Sequence, residues 1–319
     1  MKSFATRDIS NKPHTLRSAK AIAVLKASPA TLEAIRSGAV PKADPIGVAK
    51  VAGIQAAKNT SFLIPHCHQV PLDFIGVDIE LGADVITVAT SVKAIWKTGV
   101  EMEALVAASS SALALYDMLK IIDGGMEITS VRLVEKKGGK SSSSESGEGL
   151  TAAVLVLSDS VSQGRKDDSS GKFLAEKLKA MKLTIAHFKV LPDDSGKIEH
   201  ELRSLVDEYR VDLIMTTGGT GIGPRDVTPE ATMAVIERRL EGVEQALRTF
   251  GQDRVPTAML SRGIVGIRGR SLIVNLPGSI GGVEDGVDAI FPSILHTFRM
   301  LRGEGHEQNT EAKAQKKKG

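Results

Sequence analysis

Apolar positions in the first half of the chain follow two rhythms. Ile75, Val77, Ile79 and Leu81 alternate with Gly76, Asp78 and Glu80, Gly82-Ala83-Asp84 turns the chain, and Ile86, Val88, Thr90 and Val92 resume the alternation. Period-two spacing around a short turn predicts an antiparallel hairpin with one wet face. Residues 100–119, rich in Ala, Leu, Met and Glu and free of Gly and Pro, predict a long helix. Pro29–Arg36 and Pro45–Lys58 each open with a proline near a helix start and predict two more. Strand-like alternation returns at 128–134. Helices segregated from hairpins make this half α+β.

The second half has a different pattern. Short continuous apolar runs, AAVLVL at 152–157 and DLIMT at 212–216, are separated by helical stretches at 171–181 and 198–209. Strands with no polar face that alternate with helices predict a mainly parallel sheet covered on both sides, an α/β structure. Between the halves, KKGGKSSSSESGEG at 136–149 has almost nothing to bury and predicts a flexible coil. The expected domains are therefore 1–136 and 151–302, with 137–150 as linker. Residues 303–319 are polar and end in lysines, which predicts a disordered tail.

The length of 319 residues, at about 150 per domain, agrees with two domains. The net charge of +3 is accounted for by Lys313, Lys316, Lys317 and Lys318 against Glu311, so the body offers no nucleic-acid surface by bulk charge. The single cysteine, Cys67, excludes an intrachain disulfide and any multi-cysteine metal site. The polar N-terminus does not read as a signal peptide, and no stretch reaches about 18 uninterrupted apolar residues. A cytoplasmic protein that does not span a membrane is expected.

In the second half the residues after the strands carry the chemistry. Beyond DLIMT stands T-T-G-G-T-G-I-G-P-R-D-V-T-P-E-A, where Gly218, Gly219, Gly221 and Gly223 let backbone N–H groups approach a ligand. Thr228 as N-cap with Pro229 at the first helical position then opens a helix, a natural seat for an anion. No Gly-Lys-Ser/Thr follows, so this is not a Walker A loop, and its spacing is wrong for a dinucleotide fingerprint. Ser158-Asp159 ends one strand, Asp168-x-Ser170-Gly171 opens a helix, Pro192-Asp193 ends another strand and Pro277-Gly278-Ser279 ends the last. Together they describe one crevice. The purely structural alternatives are an Asx-type turn at Asp226 and a solvated turn at Asp193.

Through LSDSVSQG, DxSG, TTGGTGIGPRDVTPEAT and NLPGS, residues 150–302 resemble the MoaB/MogA family, which binds molybdopterin. The resemblance implies a three-layer Rossmann-like domain, trimeric or built of trimers, that adenylylates molybdopterin with Mg-ATP. Some members bind the pterin without clear catalysis, so a half that only binds and delivers it is the alternative. By the resemblance Asp193 contacts Mg2+ and nucleotide, and Asp226 orients the pterin or its phosphate. Ser158, Asp159, Ser170, Gly218, Gly219, Thr220, Gly221, Pro277, Gly278 and Ser279 complete the molybdopterin and nucleotide site. Carboxylates that hold a metal without a cage suit magnesium.

In the first half, Leu63-Ile64-Pro65-His66-Cys67-His68 gathers three potential ligands. On an extended segment His66 and His68 face one way and Cys67 the other, so a substrate-lining loop is expected rather than a metal site, with Cys67 a small buried hydrophobe. Lys58 lies just upstream. Glu101, Met102 and Glu103 fall in the first turn of the long helix, where carboxylates complement its dipole. Asp117 and Lys120 share a face near the other end, where an acid opposes the dipole and so hints at function. Lys42 and Asp44 in a loop and Lys97 before the helix add to a set that can bind polyphosphate and bring a lysine into the general-base range.

Through VAGIQAAKNTSFLIPHCH, KTGVEMEAL, ALYDMLK and VRLVEKKGGKS, residues 5–141 resemble the MoaC family, the cyclic pyranopterin monophosphate synthases. The resemblance implies a ferredoxin-like subunit in a hexamer of dimers, each active site shared across a dimer interface. It also implies that a cyclised dihydro-GTP triphosphate rearranges to the pterin, loses pyrophosphate and closes a cyclic phosphate. At matching positions Asp117 is the acid/base, Lys42 and Lys120 move protons, and Arg17, Lys58, His66, Cys67, His68, Glu101, Met102 and Glu103 bind substrate. No tightly bound transition metal is expected. Trp96 stands where the family has glycine, His66 where it has an apolar residue and Gln69 where it has proline. The indole either narrows the triphosphate pocket or packs at the dimer interface.

Both resemblances belong to molybdenum cofactor biosynthesis, so a bifunctional enzyme is expected. Its partners are small molecules, namely cyclic dihydro-GTP triphosphate, molybdopterin and ATP, and other enzymes of the pathway. A homo-oligomer with three-fold symmetry, trimer or hexamer, reconciles the two implied assemblies.

Overall fold

The computed structural model describes residues 5–139 and 145–303. The chain forms two compact units, residues 1–142 and 143–319. In the first, β1 (Thr15–Lys26) is followed by α1 (Pro29–Arg36), α2 (Pro45–Lys58) and the single turn α3 (Thr60–Leu63). Then come β2 (Phe74–Leu81), β3 (Val85–Trp96), α4 (Glu101–Leu119) and β4 (Glu127–Lys137). The four strands make one antiparallel sheet in the order β2-β3-β1-β4. The sequence reading had no counterpart to β1, which joins β3 to β4. Its inward residues are Ala19, Ala21, Ala23 and Leu25, all buried, and three alanines give a weak apolar alternation.

Those small side chains bring α4 close to the sheet. Thr90 on β3 donates from Oγ1 to the carbonyl of Ala104 at 2.8 Å. Ser28 and Asp44 cap α1 and α2, accepting from the N–H groups of Thr31 and Gly47, and each is followed by its proline. Gly53 lets α2 lie directly on α4, since a Cβ there would stand 2.2 Å from Ser111 Oγ and 3.1 Å from the Ala107 carbonyl oxygen. Buried Ser111 in turn donates to Ala49 O at 2.9 Å.

The second unit runs β5 (Thr151–Leu157), α5 (Asp159–Ser162), α6 (Ser170–Ala180), β6 (Thr184–Leu191) and α7 (Ser195–Arg203), prolonged by a π-helical turn at Ser204–Glu208. It continues with β7 (Leu213–Thr217), α8 (Thr228–Met233), β8 (Arg238–Arg239) and α9 (Glu241–Gln252). β9 (Val265–Arg268), β10 (Ser271–Leu276), α10 (Ile280–Ile290) and α11 (His296–Leu301) complete it. The sheet order is β6-β5-β7-β10-β9-β8, the first four strands parallel and β9 and β8 an antiparallel edge. This is an α/β fold with a mostly parallel sheet. One apolar layer includes Leu174, Leu178, Val283 and Val287, the other Ile198, Leu202, Ala231 and Val235. The chain moves outward from β5 to β6 and then to the other side at β7, so the carboxyl ends of β5 and β7 flank a switch point, where such sheets bind ligands.

Part of the expected linker is ordered. Lys136 and Lys137 belong to β4, Gly147 N–H donates to Met181 O at 3.2 Å, and Glu145 pairs with His296 at 2.9 Å and Arg299 at 3.4 Å. The serine run within 140–144 and the tail from 304 lie outside the described residues. No helix among the described residues is long and apolar enough to cross a membrane.

Gly53→Ala gains about 1 kcal/mol of intrinsic helix propensity. The clash with Ser111 reverses that gain, so the variant is expected to lose about 1–3 kcal/mol in a denaturant titration. A variant more stable than the parent would show that α2 and α4 are not packed through Gly53.

Candidate functional site

The carboxyl ends of β5, β6, β7 and β10 converge, and Gly218 makes their convergence close. At φ +108° a Cβ on Gly218 would stand 2.2 Å from the Leu157 carbonyl oxygen, so only glycine lets the end of β7 press against β5. Thr217 donates from Oγ1 to Pro277 O at 2.8 Å, tying β7 to the turn after β10. Two cavities meet at Gly219 and Gly278. The smaller, about 220 Å³, is lined by Ser158, Asp168, Ser170 and Asp193 among others. The larger, about 650 Å³, includes Gly219, Thr220, Gly221, Asp226, Pro277 and Ser279 in its lining and is mostly apolar beyond them, with Leu247, Val255 and Leu260.

The acids divide into engaged and open groups. Asp159 forms a two-pronged pair with Arg225, at 3.0 and 3.1 Å, which holds its carboxyl below the usual carboxylate range. Asp159 and Asp193 also exchange backbone-to-carboxylate hydrogen bonds, 2.9 Å from Asp159 N to Asp193 Oδ2 and 3.1 Å from Asp193 N to Asp159 Oδ1. Asp193 Oδ1 is buried without a hydrogen-bond partner, as is Asp168 Oδ2. Burial, reinforced by the charge of Asp159, pushes the Asp193 carboxyl above its ordinary range. A buried carboxylate oxygen left open costs stability, and a cation or an N–H or O–H donor would satisfy it. Asp193 thus fits the metal contact expected of it, with one free oxygen. Among the described residues no group of three or more His, Cys, Asp or Glu side chains could hold a metal ion, so any ion there shares its coordination with the ligand or water.

The glycine loop is braced from behind. Asp226 Oδ2 accepts from Gly223 N–H at 2.8 Å. Arg262 donates to Gly221 O and Asp226 O, both at 2.7 Å, and pairs with Glu230. Thr220 is buried, and its carbonyl accepts from Arg262 N–H at 2.8 Å. Ser158 caps α5, accepting from Val161 N–H, and Ser279 caps α10, accepting from Gly282 N–H at 3.1 Å. Ser170 begins α6 and is buried. Thr228 is not the N-cap expected of it. Val227 occupies that place, while Thr228 Oγ1 turns inward and donates to Gly218 O at 2.9 Å, closing the loop on itself.

In the first unit the candidate residues stand at two ends of α4. At its C-terminal end Asp117 lies between two lysines. Lys120 Nζ stands 2.7 Å from Oδ1, and Lys42 Nζ donates to Oδ2 at 3.1 Å and to the Asp117 carbonyl at 2.9 Å. These bonds, Lys120's first, hold the Asp117 carboxyl low, and Asp117 holds the Lys120 ammonium high, so the resting pair is ionised. At the other end Glu103 is buried, and that burial pushes its carboxyl above the usual carboxylate range. Glu101 stands 3.6 Å from Lys136, and Met102 is exposed. Glu103 is near enough to Cys67 to help burial raise the thiol. The rise of a helix puts Glu103 and Asp117 about 21 Å apart.

Residues 64–66 turn instead of extending, with Cys67 N–H donating to Ile64 O at 2.9 Å, and Cys67 is half-buried where a buried side chain was expected. His66 and Lys58 are exposed. His68, Trp96 and Lys97 line a cleft of about 660 Å³ with Arg7 and His14, and the His14 and Trp96 rings stand 5.0 Å apart. Trp96 is therefore part of a cleft wall. Arg17 is buried and donates to the Trp96 and Lys97 carbonyls at 3.2 and 3.3 Å. Asp168, which carries an open buried oxygen and lines the smaller cavity, stands in the DxSG motif beside the expected Ser170, whereas Arg262, far along the chain from the loop it braces, has no sequence signal.

Residues 6–139 match the MoaC family, and residues 153–296 match a family described as a probable molybdopterin binding domain. A molybdenum cofactor biosynthesis bifunctional protein of Chlorobaculum tepidum is 42% identical over 299 residues, covering 94% of this chain and 95% of that protein. A protein of the same description from Synechococcus elongatus is 34% identical, covering 94% of this chain and 98% of its own. A molybdopterin adenylyltransferase of Helicobacter pylori is 40% identical over 164 residues, which cover 50% of this chain and 93% of that enzyme.

Asp193→Asn removes the buried charge and keeps an oxygen for Asp159 N–H. Because the native carboxyl titrates above its unfolded value, the wild type loses stability as pH rises from the ordinary Asp range through the raised value. The variant is therefore expected to melt a few degrees higher near neutrality and to lose that advantage at acid pH, measured by calorimetry. A variant less stable at neutral pH would mean that Asp193 Oδ1 is compensated in the protein itself.

Proposed function

The chain belongs to the bifunctional molybdenum cofactor biosynthesis proteins, and from that premise we propose that both units are enzymes. The first unit converts cyclic dihydro-GTP triphosphate to cyclic pyranopterin monophosphate with release of pyrophosphate. Its strand order and β-α-β-β-α-β succession support a ferredoxin-like subunit. Asp117, Lys42 and Lys120 move protons, with Lys120 resting as the ammonium that can donate and Asp117 as the carboxylate that can accept. Arg17, Lys58, His66, Cys67, His68, Glu101, Met102 and Glu103 form the other part of the site. One copy cannot bring both parts onto a small substrate, so each site takes Asp117 and its lysines from one copy and the cleft from another. Leu16 and Ile95, paired across β1 and β3 and both largely exposed, give copies an apolar surface to share. A three-fold oligomer of such pairs, working in the cytoplasm, accommodates both units.

The second unit binds molybdopterin and transfers to it the AMP group of Mg-ATP, the α–β phosphoanhydride bond breaking and pyrophosphate leaving. The observation that carries this reading is the pair of cavities joined at Gly219 and Gly278, one with open carboxylate oxygens, the other broad and apolar. A transfer reaction needs two substrates held on either side of one phosphate seat. Asp193 faces the nucleotide, where its free oxygen would hold the metal ion that neutralises phosphate charge, and Asp226 holds the loop against the pterin or its phosphate. Ser158, Ser170, Thr220, Pro277 and Ser279 shape the walls, and Asp159 fixes Asp193.

Full-length protein mixed with molybdopterin and Mg-ATP is expected to yield adenylylated pterin by mass spectrometry, and Asp226→Ala to lose about 10²-fold or more of that rate. Tight pterin binding without product would reduce the second unit to a carrier that binds and delivers.

A further inference from the structure

We propose that Gly139 is a positioning residue that sets the cleft wall of the first unit by holding Arg17 in place. The ladder between β4 and β1 ends at Lys137 opposite Ser18, and Gly138 and Gly139 carry the chain on past Leu16 and Arg17. Their φ values are +100° and +84°, in the left-handed region. A Cβ on Gly138 would stand 2.1 Å from the Leu16 carbonyl oxygen, so this turn presses on the backbone of β1 and has no room to move inward. A Cβ on Gly139 would stand 1.8 Å from Arg17 Nη1 and 2.8 Å from Cζ.

The guanidinium is thus enclosed between the glycine turn and the carbonyls of Trp96 and Lys97, to which its Nε and Nη2 donate. Those carbonyls belong to the end of β3 and the start of the turn into α4, and the side chains of both residues line the cleft with His68. A side chain at 139 must push Arg17 off the carbonyls, because the turn itself is held against β1. The cleft wall then loses its brace. The kinetic consequence rests on the reading that this cleft receives the synthase substrate, and the test separates the two.

The full chain is prepared as Gly139→Ala, Arg17→Ala and the double variant. Gly38→Ala serves as control, since Gly38 has φ +70° and nothing within 4 Å of a Cβ. Trp96 is the only tryptophan, so intrinsic fluorescence reports on the braced carbonyls' own residue. Gly139→Ala and Arg17→Ala are expected to shift the emission alike and to raise KM for cyclic dihydro-GTP triphosphate by about tenfold with kcat little changed. The double variant is expected to be no worse than Arg17→Ala, and Gly38→Ala to leave emission and KM as they were. A parental emission spectrum in Gly139→Ala, or effects that multiply in the double variant, would overturn the proposal. If the emission moves in both single variants while KM does not, the bracing stands and the assignment of substrate to this cleft falls. Should Gly139→Ala fail to fold, recovery of folding in the double variant supports the clash with Arg17, and its absence overturns it.

Discussion

A helix of nineteen residues is a stiff spacer of about 28 Å, and the chemistry of the first unit is organised by what stands at its two ends. Buried Ala104, Ala108 and Ala112 seat it on the alanines of β1, and Gly53 seats α2 on it, so the spacer cannot bend to bring its ends together. One end carries the Asp117 carboxylate between Lys42 and Lys120. The other carries a buried glutamate, a half-buried thiol and a cleft walled by Trp96 and Lys97. On the proposed reading, a molecule held in that cleft meets Asp117 of a neighbouring copy. A two-fold interface does this twice over, because whatever one copy offers its partner the partner returns.

In the second unit the controlling distance is short. Gly218 lets β7 close on the end of β5, and the four strand ends that result hold Asp168 and Asp193 where water is scarce. Each spends one oxygen on a backbone N–H and keeps the other open. Arg225 neutralises Asp159, the neighbour whose charge would otherwise raise Asp193 further. The cost of the open oxygens is borne by a core whose two apolar layers enclose the sheet on both faces.

Much of this was legible in the sequence because it is local. Prolines and N-caps marked α1 and α2, alternation marked β2 and β3, and glycines after an apolar run marked the loop that follows β7. β1 was hidden because its inward residues are alanines, which read as neither strand nor helix. Contacts between distant residues could not be read at all. The spacing of Asp117 and Lys120 places them on one helix face, but nothing in the sequence says that Lys42 meets the same carboxylate. Likewise, the Gly138-Gly139 pair looks in the sequence like the start of a linker, whereas its place is set by Leu16 and Arg17, more than a hundred residues earlier in the chain. Thr228 was misread because its hydroxyl prefers a carbonyl ten residues earlier to the helix it begins.

The most direct test of a site divided between copies is complementation between Asp117→Asn and His68→Ala chains, one altered at each end of α4. Each alone is expected to be inactive as a synthase. Co-expressed in equal amounts and purified together, they are expected to recover about a quarter of the wild-type rate, since half of randomly formed pairs hold one intact site of two. A mixture as inactive as its parts, with mixed pairs present by mass, would contradict a site divided along α4.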